Sequence, residues 1–79
     1  MTIIQLKYAI AVSEYKNFTL AAEKCFVTQP TLSMQIQKLE SELDIQIFDR
    51  TKKPIEMTEI GSKIISQCKK IVSESEKMQ

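Results

Sequence analysis

Val27-Thr28-Gln29-Pro30-Thr31-Leu32-Ser33-Met34-Gln35-Ile36-Gln37-Lys38-Leu39-Glu40-Ser41-Glu42-Leu43 is the stretch whose reading decides the fold. Leu32, Ile36, Leu39 and Leu43 recur at spacings of four, three and four, which lays one apolar stripe along a helix. Thr28 stands where a side-chain oxygen caps that helix. Pro30 falls in its first turn, where a missing N–H costs nothing. At about 100° per residue, Pro30, Ser33, Met34, Gln37, Lys38 and Ser41 share the opposite side. That outer surface is polar and has no acid before Glu40. The asymmetry is what a helix needs to lie against a polyanion.

Upstream, residues 3 to about 15 read as a first helix, with Leu6, Ala9, Ile10 and Ser13 on one face and Ile4, Tyr8 and Val12 on a second apolar edge. Asn17-Phe18-Thr19 interrupts it. Thr19 is the expected N-cap of a short second helix running to about Phe26, and Val27-Thr28 is a tight turn. Downstream, Ile45–Arg50 and Ile55–Thr58 are short β-branched runs around Thr51-Lys52-Lys53-Pro54, the pattern of a β-hairpin. Pro54 is tolerable at a strand start or edge. Arg50, Lys52 and Lys53 gather positive charge near its tip.

Thr58-Glu59-Ile60-Gly61 begins a last helix expected to reach the terminus, about 22 residues and 33 Å long. Met57, Gly61, Ile64, Cys68, Ile71, Ser75 and Met78 alternate spacings of four and three, an imperfect heptad seam. The domain itself is expected to cover the first two turns and a second subunit the rest. The dimer seam then comprises Ile64, Cys68, Ile71 and Met78. The pattern runs to the end of the sequence, so the chain is expected to be a fragment of a longer polypeptide.

These elements make a mainly α winged helix-turn-helix, with a short β-hairpin wing and a long C-terminal linker helix. The expected domain covers residues 1–58, with the helix-turn-helix at about 18–37 and the wing at about 45–57; residues 59–79 form the linker and dimerisation helix.

Composition limits what such a fold does. Seventy-nine residues allow one small domain. A net charge of +1 and a pI near 7.7 are low for a nucleic-acid binder, where a pI above about 9 is typical. Placement of charge, rather than its sum, must therefore carry that reading. Arg50 is the only Arg, for which codon bias in an AT-rich genome is the simplest account. Without His, and with Cys25 and Cys68 far apart, no zinc site, disulfide framework or catalytic constellation is expected, nor any cofactor. Cys25 reads as a small buried hydrophobe. Cys68 reads as a seam residue, with an intersubunit disulfide as the alternative. Glu40 and Glu42 are expected to face solvent or pair locally, and Lys63, Lys69, Lys70 and Lys77 to form a solvated face with Glu74 and Glu76. The apolar run Ile3–Val12 lacks the basic flank and cleavage site of a signal sequence, and nothing approaches a membrane span of about 20 residues. A cytoplasmic setting follows.

A helix fits the major groove, and short side chains at its N-terminus reach base edges. Gln29 is suited to adenine, Ser33 to several bases and Met34 to a thymine methyl. The helix dipole favours phosphate near Thr28. A winged helix that docks only on protein is the alternative, and salt dependence separates the two.

At these same residues the sequence becomes familiar. Phe18-Thr19-Leu20-Ala21-Ala22-Glu23, then Val27 to Glu40, then Phe48-Asp49-Arg50-Thr51 and Thr58-Glu59-Ile60-Gly61, resembles the LysR-type transcriptional regulators over essentially the whole chain. Cys25 followed by Val27–Ser33 looks most like their peroxide-sensing OxyR branch, which would tie the chain to oxidative stress. The resemblance implies a DNA-binding domain whose effector domain is absent here. It also implies a homodimer through the linker helix, tetramers at full length, double-stranded promoter DNA as partner, and RNA polymerase as a further candidate partner. The redox cysteines of that branch lie in the effector domain, so Cys25 and Cys68 do not match them. By motif position Gln29, Pro30, Ser33 and Met34 match base contacts. Thr31, Lys38, Arg50 and Lys53 match backbone or wing contacts, to which chemistry adds Thr28 and Lys52. Met34 and Gln37 stand where Arg is common, and Asp44 where Gly usually ends the helix. A left-handed cap there suits Asp less well, by up to about 1 kcal/mol.

Overall fold

Side-chain caps open all four helices in a computed structural model of the chain, which describes residues 1–78. The order is α1 (Ile3–Tyr15), α2 (Phe18–Lys24), α3 (Gln29–Leu43), β1 (Phe48–Asp49), β2 (Glu56–Met57) and α4 (Glu59–Lys77). Thr2 and Gln5 form a reciprocal capping box at α1. Thr28 and Thr58 accept from the N–H groups of Thr31 and Gly61. At α2 the cap is Asn17, whose Oδ1 accepts from Leu20 N–H at 2.8 Å. Thr19 is therefore not the cap but an exposed residue of the first turn. The helix also stops at Lys24 rather than Phe26, because Phe26 takes a left-handed φ of 60° and turns the chain into α3.

α1 packs against α2, α3 and α4, which explains why its apolar residues spread over more than one edge. Leu6, Ala9 and Val12 are buried, whereas Ile4 is exposed, so the expected Ile4–Tyr8–Val12 edge contributes mainly Val12. The buried polar Gln5 donates from Nε2 to Gln35 Oε1 at 3.0 Å, tying α1 to α3. Leu32, Ile36 and Leu39 bring the stripe of α3 into the same core, joined by Ala21, Ala22, Ile47 and Phe48. Asp44 ends α3 in the left-handed region at φ 55°, the cap its position called for.

α4 is 19 residues, about 28 Å. Its buried stripe is Gly61, Ile65, Cys68 and Val72, facing the core well past the first two turns. The stripe the domain buries is thus one register step from the expected seam and shares Cys68 with it. Cys68 belongs to the domain's own core, Ile64 lies half-buried at its edge, and Ile71 and Met78 are exposed at 40% and 88%. Gly61 is a close-approach residue rather than a seam imperfection, since a Cβ there would stand 2.1 Å from the Ile47 carbonyl oxygen.

The hairpin is antiparallel, with Phe48 opposite Met57 and Asp49 opposite Glu56. It is shorter than expected because other elements take its flanking backbone donors. Ile47 N–H and Phe48 N–H donate to the Glu40 carboxylate and Ile55 N–H to Lys16 O, whereas Thr58 N–H to Ile47 O carries the cross-strand pairing one bond further. Pro54, after a cis peptide bond, lies in the turn outside both strands.

Candidate nucleic-acid interface

The first turn of α3 and the wing face one another across a groove of about 450 Å³, lined by Gln29 and Ser33 on one side and Arg50 and Lys53 on the other. α3 carries Gln29, Pro30, Thr31, Met34 and Lys38 exposed, with Ser33 half-buried, opposite the core stripe. Of the projected face, Pro30, Met34, Gln37, Lys38 and Ser41 are exposed and Ser33 half-buried, because one buried stripe fixes the rotation of the helix; Gln29 and Thr31 are exposed in the first turn outside that projection. Thr28 Oγ1 caps Thr31 N–H and also bonds Thr31 Oγ1 at 2.9 Å, both side chains remaining exposed. Lys52 and Lys53 are exposed in the wing turn.

Arg50 is placed differently from the lysines. Its guanidinium stacks over the Phe18 ring, 4.7 Å from the centroid, and Nη2 donates to Glu40 Oε1 at 3.2 Å. Phe18 in turn meets Phe48 edge to face at 6.0 Å. Arg50 is thus a half-exposed group built into the joint between α3 and the wing. Glu40, expected in solvent or pairing locally, is largely buried and accepts from Ile47 N–H at 2.7 Å, Phe48 N–H at 3.3 Å and Arg50. The available signal was its place as the first acid of the helix, ten residues before the only Arg.

Sequence reading grouped the wing's cations but passed over Asp49. Its carboxylate accepts from the hydroxyl and the N–H of Thr51, and these bonds, with Lys52 nearby, hold it below the usual carboxylate range. An ionised Asp49 therefore orders the turn that presents Lys52 and Lys53. Both thiols are free, and burial pushes each up. Cys68 is buried and Cys25 half-buried. On α4, Ile60, Ile64, Ile71 and Met78 line one outer face, with Ile60 also exposed. Among the described residues no helix is long and apolar enough to cross a membrane.

Three helices with a short corner between the second and third, followed by a hairpin that returns beside the third, define a winged helix-turn-helix. Residues 3–62 match the model of the bacterial regulatory helix-turn-helix proteins of the lysR family, and the chain belongs to that family. It is 45% identical over 74 residues to a hydrogen peroxide-inducible genes activator of Haemophilus influenzae, covering 94% of this chain and 25% of that protein. It is 39% identical to the DNA-binding transcriptional dual regulator OxyR of Escherichia coli, with 94% and 24% covered. The chain thus spans about a quarter of the length of these relatives. Among solved structures, the BenM DNA-binding domain in complex with catB site 1 DNA superposes with a TM-score of 0.95 at 40% identity, covering 99% of this chain and 84% of that one. Full-length OxyR C199D of Pseudomonas aeruginosa superposes with a TM-score of 0.94 at 37% identity, covering 99% and 26%.

Proposed function

We propose that this chain is a sequence-specific double-stranded DNA-binding domain of a bacterial transcription regulator, a binding module rather than an enzyme, working in the cytoplasm. The observation that carries the reading is the groove itself. It sets the acid-free outer face of α3 beside the cations of the wing, so one surface offers base-reading and phosphate-binding groups together. Gln29, Pro30, Ser33 and Met34 then meet base edges in the major groove. Thr28, Thr31, Lys38, Lys52 and Lys53 meet the backbone, and Arg50 does so with the guanidinium N–H groups that Glu40 leaves free.

The winged domain is residues 1–58, and α4 has two duties. Its buried stripe completes that domain, while Ile64, Ile71 and Met78 form the homodimer seam; Cys68 is removed from it. Two copies would read half-sites about one helical turn, or a multiple, apart. Similarity to hydrogen peroxide-inducible genes activators favours target genes that answer oxidative stress. For the whole protein the proposed assembly is a tetramer.

The test is fluorescence anisotropy on labelled duplexes over a salt series. The expected result is a log K that falls by about 0.9 per neutralised phosphate for each unit of log salt. Absent or salt-insensitive binding to every duplex would favour a protein-docking winged helix instead.

A further inference from the structure

The groove between α3 and the wing has a third wall, the corner between α1 and α2. Lys16, Asn17 and Thr19 line it beside Gln29, Arg50 and Lys53. Lys16 ends α1 in the left-handed region, φ 54° and ψ 31°, where glycine sits without steric cost and lysine does not. Its backbone is fixed from both sides. Its N–H donates to Val12 O at 2.8 Å, and its carbonyl accepts Ile55 N–H at 3.2 Å, which ties the corner to the returning side of the wing. Asn17 spends Oδ1 on Leu20 N–H, so the group it retains is an amide donor. Thr19 keeps an exposed hydroxyl.

Across the groove stand Arg50 and Lys53. No lining residue is acidic, and among the described residues no carboxylate lies within ion-pairing distance of Lys16 or Lys53. Phe18 and Ile55 contribute apolar wall, which strengthens any charge interaction made there. Cations from two elements, an amide, a hydroxyl and no acid around one hollow are the chemistry that recognises a phosphate group.

The geometry points to this groove as the seat of one phosphate of the DNA backbone, held between Lys16 of the corner and Lys53 of the wing. Asn17 and Thr19 donate to the same group. The corner is then a third DNA contact, after α3 and the wing tip. A strand phosphate is favoured over a free one because Gln29 and Ser33, the proposed base readers, line the same groove. The inference rests on the DNA-binding reading and adds to it a cation from outside the recognition helix, whose own outer face carries Lys38 as its one cation.

The test compares the chain with Lys16→Gly and Lys16→Asn, both suited to a left-handed residue. Each is expected to melt no lower than the parent. Each should bind a mixed-sequence duplex several-fold more weakly at moderate salt, with a log–log salt slope shallower by about 0.9. Lys16→Arg should restore both. Inorganic phosphate alone, followed by NMR, should shift the amides of Asn17 and Thr19 in the parent and not in Lys16→Gly. Unchanged duplex affinity and slope in both variants would overturn the inference while leaving DNA binding intact. Phosphate-induced shifts with unchanged duplex affinity would assign the groove to a free phosphate and overturn the backbone contact. A parent chain that binds no duplex would remove the functional reading and this inference together.

Discussion

Glu40 Oε1 lies 3.2 Å from Arg50 Nη2, while Glu40 Oε2 accepts the backbone N–H groups of Ile47 and Phe48. One carboxylate therefore sets the angle between the recognition helix and its wing. Glu40→Ala leaves three donors without their acceptor and is expected to cost about 2–3 kcal/mol, the half-exposed Arg50 recovering some water. Glu40→Gln keeps an acceptor oxygen and loses the charge, so about 1 kcal/mol is expected. Urea unfolding measures both. A Glu40→Ala variant as stable as the parent would mean that the wing is held by other contacts.

Gly61 sits where α4 crosses the chain entering the wing. A methyl group there would meet Ile47 backbone atoms at 2.1–2.8 Å, and Ile47 is fixed by Glu40 and Thr58. Gly61→Ala is expected to lose about 3 kcal/mol or more despite alanine's better helix propensity. Ser62→Ala, one residue on and exposed, should change stability by no more than about 0.5 kcal/mol. Thermal melts followed by circular dichroism decide it. Equal midpoints for the two variants would refute the close approach.

Those two residues mark the boundary of what the sequence makes legible. The apolar stripe of α3, its Thr28 cap and its Asp44 stop are local signals, and local signals identify a helix and its rotation. The α2 cap required choosing between Asn17 and Thr19, both competent, and only the geometry of the corner separates them. On α4 the residues at 61, 64, 68 and 71 and those at 61, 65, 68 and 72 are equally regular. Which stripe is buried depends on where α1 lies, a fact of tertiary packing. Glu40, Arg50 and Lys16 join the wing to the helices through contacts distant in sequence, which no periodicity reveals. The outer face of α3 was legible because it is simply the side of the helix that the core does not use.

Gln29 and Lys53 line the same groove but are assigned different tasks. Gln29→Ala should lose about 1–3 kcal/mol on the preferred operator and relax one base position. Lys53→Ala should weaken every duplex alike and flatten the salt slope by about 0.9. Parallel selection of bound sequences and salt titration separates the two effects. Equal losses for Gln29→Ala on all sequences would remove its base-reading role, and an unchanged slope would remove the backbone contact of Lys53.

Burial raises both thiols, so little thiolate is present at neutral pH and labelling should accelerate as pH rises. Cys25, half-buried beside the helix-turn-helix corner, should react first. Cys68, in the core between α4 and α1, should react only as the fold opens. Absorbance-monitored labelling should therefore show two phases that merge in denaturant. Rapid labelling of Cys68 in the native chain would contradict its place in the core and return it to the seam.

Ile71 tests the seam without threatening the fold. It is 40% exposed and belongs to the outer face of α4, whereas its neighbour Val72 is buried against the domain. Ile71→Asp is expected to leave the folded domain within about 0.5 kcal/mol of the parent, because the carboxylate remains in water. In a dimer the same carboxylate would be buried against an apolar partner, and the subunits should separate. Val72→Asp should instead abolish folding in any assembly state. Sedimentation velocity and melting, run on all three chains at matched concentration, read the difference. A parent that sediments as a monomer, or an Ile71→Asp chain of unaltered mass, would remove the seam. Losing the dimer should also weaken operator binding far more than the loss of any single contact. The chain has only +1 net charge, and the outer face of α3 offers Lys38 as its one cation beside the uncharged Met34 and Gln37, so a lone copy makes few phosphate contacts. Coupling two copies raises the effective concentration of the second at its half-site, and that avidity is what the aspartate removes.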